Sequence, residues 1–277
     1  SPLEGTDVLA RTDEQFHILA INQGAIPPQW RLQGYDHIGD IDVVGDVIYA
    51  PFEQPDYTKG HQVTARYDAS TLAFRDAVVL PQHQNSFVAV DPNTMIAYTM
   101  DEFEGEALLR YDVANAWRPL APLRMSLLLH NTQGASVRDG FIWICTSDPG
   151  NDLFRVSLTT GHVDNVGHLG HAGGEGEGVD ATPLPSGGLH AMVIDPNLTT
   201  VWVEHFDVSA SSAPATNSAA SPSPVNPSPP AQTPGTLPAS GGRSRFVPLG
   251  VAAAIGAVVL LRRRRGASRS GSVTTRQ

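Results

Sequence analysis

The sequence predicts an all-β fold: a β-propeller of four or five blades over residues 11–207, with four strands and about 45 residues to each blade. Three observations carry this prediction. The segments Gly39-Asp40-Ile41-Asp42-Val43, Ser86-Phe87-Val88-Ala89-Val90, Gln133-Gly134-Ala135-Ser136-Val137 and Glu177-Gly178-Val179-Asp180-Ala181 begin 47, 47 and 44 residues apart. Turn formers follow each at Gly45-Asp46, Asp91-Pro92-Asn93, Asp139-Gly140 and Pro185-Ser186-Gly187-Gly188, and β-rich runs follow the turns. A second marker, Arg66-Tyr67-Asp68, Arg110-Tyr111-Asp112 and Arg155-Val156-Ser157, recurs at 44 and 45 residues.

Each element follows from local chemistry. The first segment of every repeat opens a hairpin, because Asp-Gly and its relatives between β-branched and aromatic residues favour a tight reversal. Its second strands are Val47-Ile48-Tyr49, Ile96-Ala97-Tyr98, Phe141-Ile142-Trp143 and Leu189-His190-Ala191-Met192-Val193. Third strands end at the Arg markers, and fourth strands are expected near Val78-Val79-Leu80, Leu120 and Val166. Three complete repeats begin near Asp36, His83 and His130, while a fourth, from His171 to Asp207, lacks its last strand. Phe16 to Ile21 and Trp30-Arg31-Leu32 read as the last two strands of an unpaired N-terminal blade, so the two ends are expected to close the ring in one shared sheet.

In such a ring the innermost strands line a central channel, and the loops entering them surround one mouth. Those loops repeat a chemistry. Each contains a histidine (His37, His83, His130 or His171) beside acids or amides that include Asp40, Asn85, Gln133, Glu175 and Glu177. The five oxygen donors suit an axial calcium, which prefers six to eight hard oxygens. The four imidazoles suit a transition metal instead. A third reading has these groups satisfying one another and trapped water. The oxygen set resembles, in architecture alone, that of calcium-dependent lactonase and esterase propellers, which implies a metal-dependent hydrolase working at the channel mouth.

Beyond Asp207 the composition changes. Residues 208–236 are rich in Pro, Ser and Ala with no acidic residue, and are expected to form an extended, disordered stalk. Leu237-Pro238-Ala239-Ser240-Gly241 follows, then an uncharged run from 246 to 261, then a basic tail over 262–277 that opens with four arginines. Sixteen helical residues reach roughly 24 Å, a marginal membrane span, and the arginines hold the tail in the cytoplasm. This order resembles the sorting signal of Gram-positive surface proteins. The resemblance implies cleavage before Gly241 by a sortase and attachment to peptidoglycan. Ser240 stands where that family has threonine, and a permanent single-pass membrane protein is the alternative.

All 28 acidic residues lie at or before Asp207, against 10 of the 18 basic ones, a net −18 for residues 1–207. Such a surface repels nucleic acid and favours cations or basic ligands. A single lysine, Lys59, against 17 arginines points to a high-GC, actinobacterial coding sequence. An exported chain requires a signal peptide, and Ser1 is therefore read as the start of a processed or trimmed one. Cys145, the single cysteine, lies in an apolar strand and is expected to be buried packing.

Other motifs have plainer readings. The glycine-rich segment 173–178 interleaves carboxylates that repel phosphate. Asp148 to Asp152 reads as a turn, and Asp101 to Glu106 as a solvated loop. No nucleophile-elbow serine motif is present. Trp30, Trp117, Trp143 and Trp202 are expected between blades. The expected function is a monomeric, cell-surface binding module for an extracellular ligand, with the calcium hydrolase as its alternative.

Overall fold

The computed structural model describes residues 7–13, 15–54, 56–101, 105–170, 174–182, 188–194, 200–206 and 257–260. Among them the chain is all-β, with four successive blades in a propeller-like arrangement behind a short N-terminal sheet. That sheet pairs β1 (Leu9–Thr12) with β2 (Ile18–Asn22), and a one-turn helix, α1 (Pro28–Arg31), follows.

The first blade contains β3 (His37–Ile38), β4 (Asp42–Val44), β5 (Val47–Glu53), β6 (Gln62–Asp68) and β7 (Phe74–Leu80). Strands β3 and β4 both pair with β5 and form one inner strand, interrupted where Asp40 turns to the next blade. There its N–H donates to the Ser86 carbonyl at 2.8 Å, and its own carbonyl accepts from Val88 N–H. The second blade runs β8 (Ala89–Val90), β9 (Ile96–Thr99), β10 (Gly105–Asp112) and β11 (Arg118–Leu129). The third is β12 (Thr132–Arg138), β13 (Phe141–Thr146), β14 (Asp152–Ser157) and β15 (Val163–His168). The fourth has three strands, β16 (Glu175–Asp180), β17 (Leu189–Ile194) and β18 (Val201–Phe206). These match the expected repeats, and among the described residues the fourth has no last strand.

Packing explains why the central strands read as unbroken apolar runs. Side chains alternate between faces with a period of two, and both faces of a central blade are covered. On β13, Ile142 and Ile144 point into a core shared with Phe87, Tyr98 and Leu108 of the second blade. Their neighbours Trp143 and Cys145 join Val179, Leu189 and Ala191 of the fourth. Strand β5 divides in the same way. Ile48, Ala50 and Phe52 meet Leu9, while Tyr49 meets Val88, Val90 and Trp117. Each large aliphatic side chain buried in these interfaces contributes about 1.5–3 kcal/mol. Cys145 is a free, fully buried thiol in this packing, and burial pushes its pKa well up.

Three expectations need correction. Trp30 and Arg31 lie in α1 and Leu32 caps it, because Pro28 at the first turn presets helical φ where no amide donor is needed. The ends do not share a closing sheet among the described residues: β1 and β2 form one sheet and β16 to β18 another. Trp117 and Trp143 do fill spaces between blades, but Trp202 stands 43% exposed on β18.

Of the segment expected to cross a membrane, residues 257–260 form a strand, β19 (Ala257–Leu260), parallel to β1. No helix among the described residues is long and apolar enough to cross a membrane. The stalk, the Leu237 to Gly241 motif, the rest of the apolar run and the basic tail lie outside the described residues.

Candidate functional site

The inner strands converge on Asp40. Its carboxylate lies across the hub, where Oδ2 accepts from the N–H of Ala135 on β12 at 2.9 Å and of Val179 on β16 at 3.3 Å. Two glycines make room for it. A Cβ on Gly134 would fall 2.5 Å from the Gly178 Cα and 2.7 Å from Asp40 Oδ2, and one on Gly178 would fall 2.9 Å from Asp40 Oδ1. In the repeat alignment Asp40, Phe87, Gly134 and Gly178 are equivalent, so one blade supplies the acid and two others supply space for it. Burial pushes the Asp40 carboxyl well above the usual range, against the two amide donors that stabilise its charged form.

Next to Asp40 a cavity of about 80 Å³ opens between β4 and the face of the fourth blade turned away from the third. Cross-strand register builds that face. Asp180 pairs with His190 and His190 with His205, while Gly178 pairs with Met192 and Met192 with Val203. Asp180, His190, Met192 and Val203 line the cavity, and Asp40, Asp42 and Ser136 complete it. Asp42 Oδ2 accepts from Val90 N–H at 2.7 Å, and Oδ1 from its neighbour Val43 at 2.8 Å. Burial first, and then the nearby Asp180, push the Asp42 carboxyl up to about 6. The imidazoles of His190 and His205 approach to 3.2 Å between their Nε2 atoms.

The expected donor residues are distributed. Asn85 is fully buried between the first two blades, where its Nδ2 donates to the Val63 carbonyl at 2.9 Å and its Oδ1 accepts from Gln82 Nε2 at 3.0 Å. It faces these amides while Asp40 faces the third and fourth blades. Gln133 is half-buried on β12, and Glu175 is exposed on β16. Glu177 is half-buried, and burial together with its hydrogen-bonded neighbour Glu175 pushes its carboxyl up to about 8. His37 is half-buried on β3, with its pKa lowered by burial. His83 is exposed and bonds to Asp101 of its own blade, and His130 is exposed beyond β11. His171 lies outside the described residues. No group of three or more His, Cys, Asp or Glu side chains among the described residues is placed to hold a metal ion.

No protein-family model and no curated protein matches this sequence. Solved structures give fold-level likenesses. A luciferin-regenerating enzyme aligns at 11% identity and a TM-score of 0.46, over 68% of this chain and 66% of that one. An auxiliary nutrient binding protein from Bacteroides thetaiotaomicron aligns at 12% identity and 0.43, over 63% and 39%. A protein of unknown function from the same organism aligns at 14% and 0.42, over 61% and 41%. The chain thus spans just under two thirds of the first and about two fifths of the others.

Sequence reasoning looked to the entry loops and overlooked the other end of the inner strands. The signal was present in the repeat. Asp42, Ala89, Ser136 and Asp180 are the fourth residues of the four aligned segments, and three of them meet at the cavity. Glu53 was also missed. It is 5% exposed at the end of β5, Asn85 N–H donates to its Oε1 at 2.8 Å, and burial pushes its carboxyl up to about 7.

Proposed function

We propose that this chain is an exported, cell-surface β-propeller that binds an extracellular ligand in the hub cavity beside Asp40. One observation supports the reading above others: a concave cleft between β4 and the fourth blade gathers Asp42, Ser136, Asp180 and His190 beside Val43, Met192 and Val203, so polar groups converge next to an apolar surface. The C-terminal motif, apolar run and arginines support display at the envelope, with sortase attachment through Ser240 or retention by the membrane.

Ligand that binds only the folded state raises stability by about 2.7 kcal/mol at a hundredfold excess over Kd. Thermal melts of the full chain against a panel of amines, acids, sugars and metal ions, each with and without EDTA, should therefore find at least one class that raises Tm. Val203→Trp, which fills the cavity, should abolish that rise. An undiminished rise in the filled variant moves the site elsewhere, and a silent panel removes the binding reading. For display, muralytic digestion should release a chain ending at Ser240. Extraction of the intact chain by detergent alone would overturn wall attachment in favour of the membrane.

A further inference from the structure

We propose that the hub cavity is a site for a primary ammonium group carried on a short apolar stem. The inference rests on the hub-cavity reading and names its ligand class. Asp40 and Asp42 line the cavity from the first blade and Asp180 from the fourth. Backbone amides already occupy part of them: Asp40 Oδ2 accepts twice, and Asp180 Oδ1 accepts from Thr182 N–H at 2.8 Å. The second oxygen of Asp180 makes no hydrogen bond among the described residues.

Ser136 adds a neutral polar group to the same wall, from the third blade. It is 7% exposed, lines the cavity, and its hydroxyl makes no hydrogen bond among the described residues. The hydroxyl opens onto the cavity, where an arriving donor can bond it in place of water. An N–H donor satisfies both the hydroxyl and the carboxylates, whereas an anionic ligand meets repulsion from Asp42 and Asp180. Met192 and Val203 lie along the same wall. They offer nothing to a bare cation and favourable burial to an alkyl stem.

Charge at the site is coupled to pH. The ionisable groups facing Asp42 are Asp40 beside it, Asp180 on β16, His190 on β17 and Tyr49 across the β4–β5 pair. With Asp42 titrating at about 6, roughly a tenth of the unliganded protein presents it ionised near pH 5, and nearly all near pH 7.5. An alkylammonium stays charged throughout, as lysine does with a pKa of about 10.4. Apparent affinity scales with the competent fraction, so it should fall about tenfold between the two conditions.

The test uses the full chain and n-butylammonium chloride as probe, with n-butanol and sodium butyrate as neutral and anionic analogues. Titration calorimetry near pH 7.5 should show binding of the ammonium alone. Asp180→Asn should weaken it at least tenfold with Tm unchanged. Ser136→Ala should weaken it about tenfold while leaving the unliganded protein no less stable. Equal binding of butanol, or full affinity in Asp180→Asn, overturns the assignment. If a non-cationic class binds the wild type but not Val203→Trp, and butylammonium binds neither, the ammonium assignment falls and the cavity reading stands. If no probe binds, both fall.

Discussion

The third and fourth blades have the same hairpin grammar but different surroundings. In the third, β13 buries residues of both parities, with Ile142 and Ile144 against the second blade and Trp143 and Cys145 against the fourth. In the fourth, β17 buries Leu189, Ala191 and Val193 against the third, while His190 and Met192 turn to the cavity. A strand covered on both sides reads as a continuous apolar run. One covered on a single side alternates, and the polar half of Leu189-His190-Ala191-Met192-Val193 marks the face left for something other than a blade. The comparison teaches that in this fold the loss of apolar character at one parity locates a site more directly than histidines or acids in loops.

The largest expected effect tests the packing half of that statement. Ile144→Ala removes a fully buried side chain from between two blades and should cost about 2–5 kcal/mol. Met192→Ala opens a half-buried position onto an existing cavity, so about 1 kcal/mol or less is expected. Urea denaturation of the two variants measures the difference. Similar losses would mean that the free face of the fourth blade is packed as tightly as the interior of the third.

A second effect belongs to the cavity side alone. Asp42 has a folded pKa of about 6 against an ordinary 3.8, so the folded state holds its proton more tightly than the unfolded chain. Its contribution is fully present below about pH 4 and is lost as pH rises through 6. At about 1.4 kcal/mol per pKa unit the loss is on the order of 3 kcal/mol at most. Asp42→Asn should remove that decline, while its amide nitrogen forfeits one of the two backbone N–H bonds. Glu53 and Glu177, pushed up to about 7 and about 8, should keep a residual decline at higher pH in wild type and variant alike. Urea midpoints at closely spaced pH values separate the windows; a variant whose profile parallels the wild type from pH 4 to 6 would show that Asp42 ionises freely.

Much of the architecture was legible because it was written four times. The turns at Gly45-Asp46 and Asp139-Gly140 fall where hairpin chemistry puts them, and the Arg-Tyr-Asp marker does end β6 and β10. Reading failed where no repeat supported it. Trp30-Arg31-Leu32 is apolar enough to mimic a strand, and the helix signal was Pro28 beside it. Closure of the ring depends on pairing between distant ends, which no local pattern encodes. At the hub, Asp40 was recognisable as an axial acid. Its partners were not, because they are the backbone amides of Ala135 and Val179 together with two glycines, Gly134 and Gly178, that act by having no side chain.

The smallest expected effect concerns the outer edge of the third blade, where Arg155 on β14 bonds Asp164 on β15 at 2.9 Å. The first blade has the same device in Arg66 and Asp76. Asp164 is 37% exposed in its side chain, and water screens such a pair, so Asp164→Ala should cost about 0.5 kcal/mol or less. Arg155→Ala should cost more. Its guanidinium also lies 4.8 Å from the centre of the Phe141 ring and 5.9 Å from that of Trp143, contacts worth about 0.5–1 kcal/mol at partly exposed sites that survive loss of the carboxylate. A double-mutant cycle on the two residues isolates the ion pair. A coupling energy above about 1 kcal/mol would mean that blade edges, rather than the faces between blades, supply a substantial share of the third blade's stability.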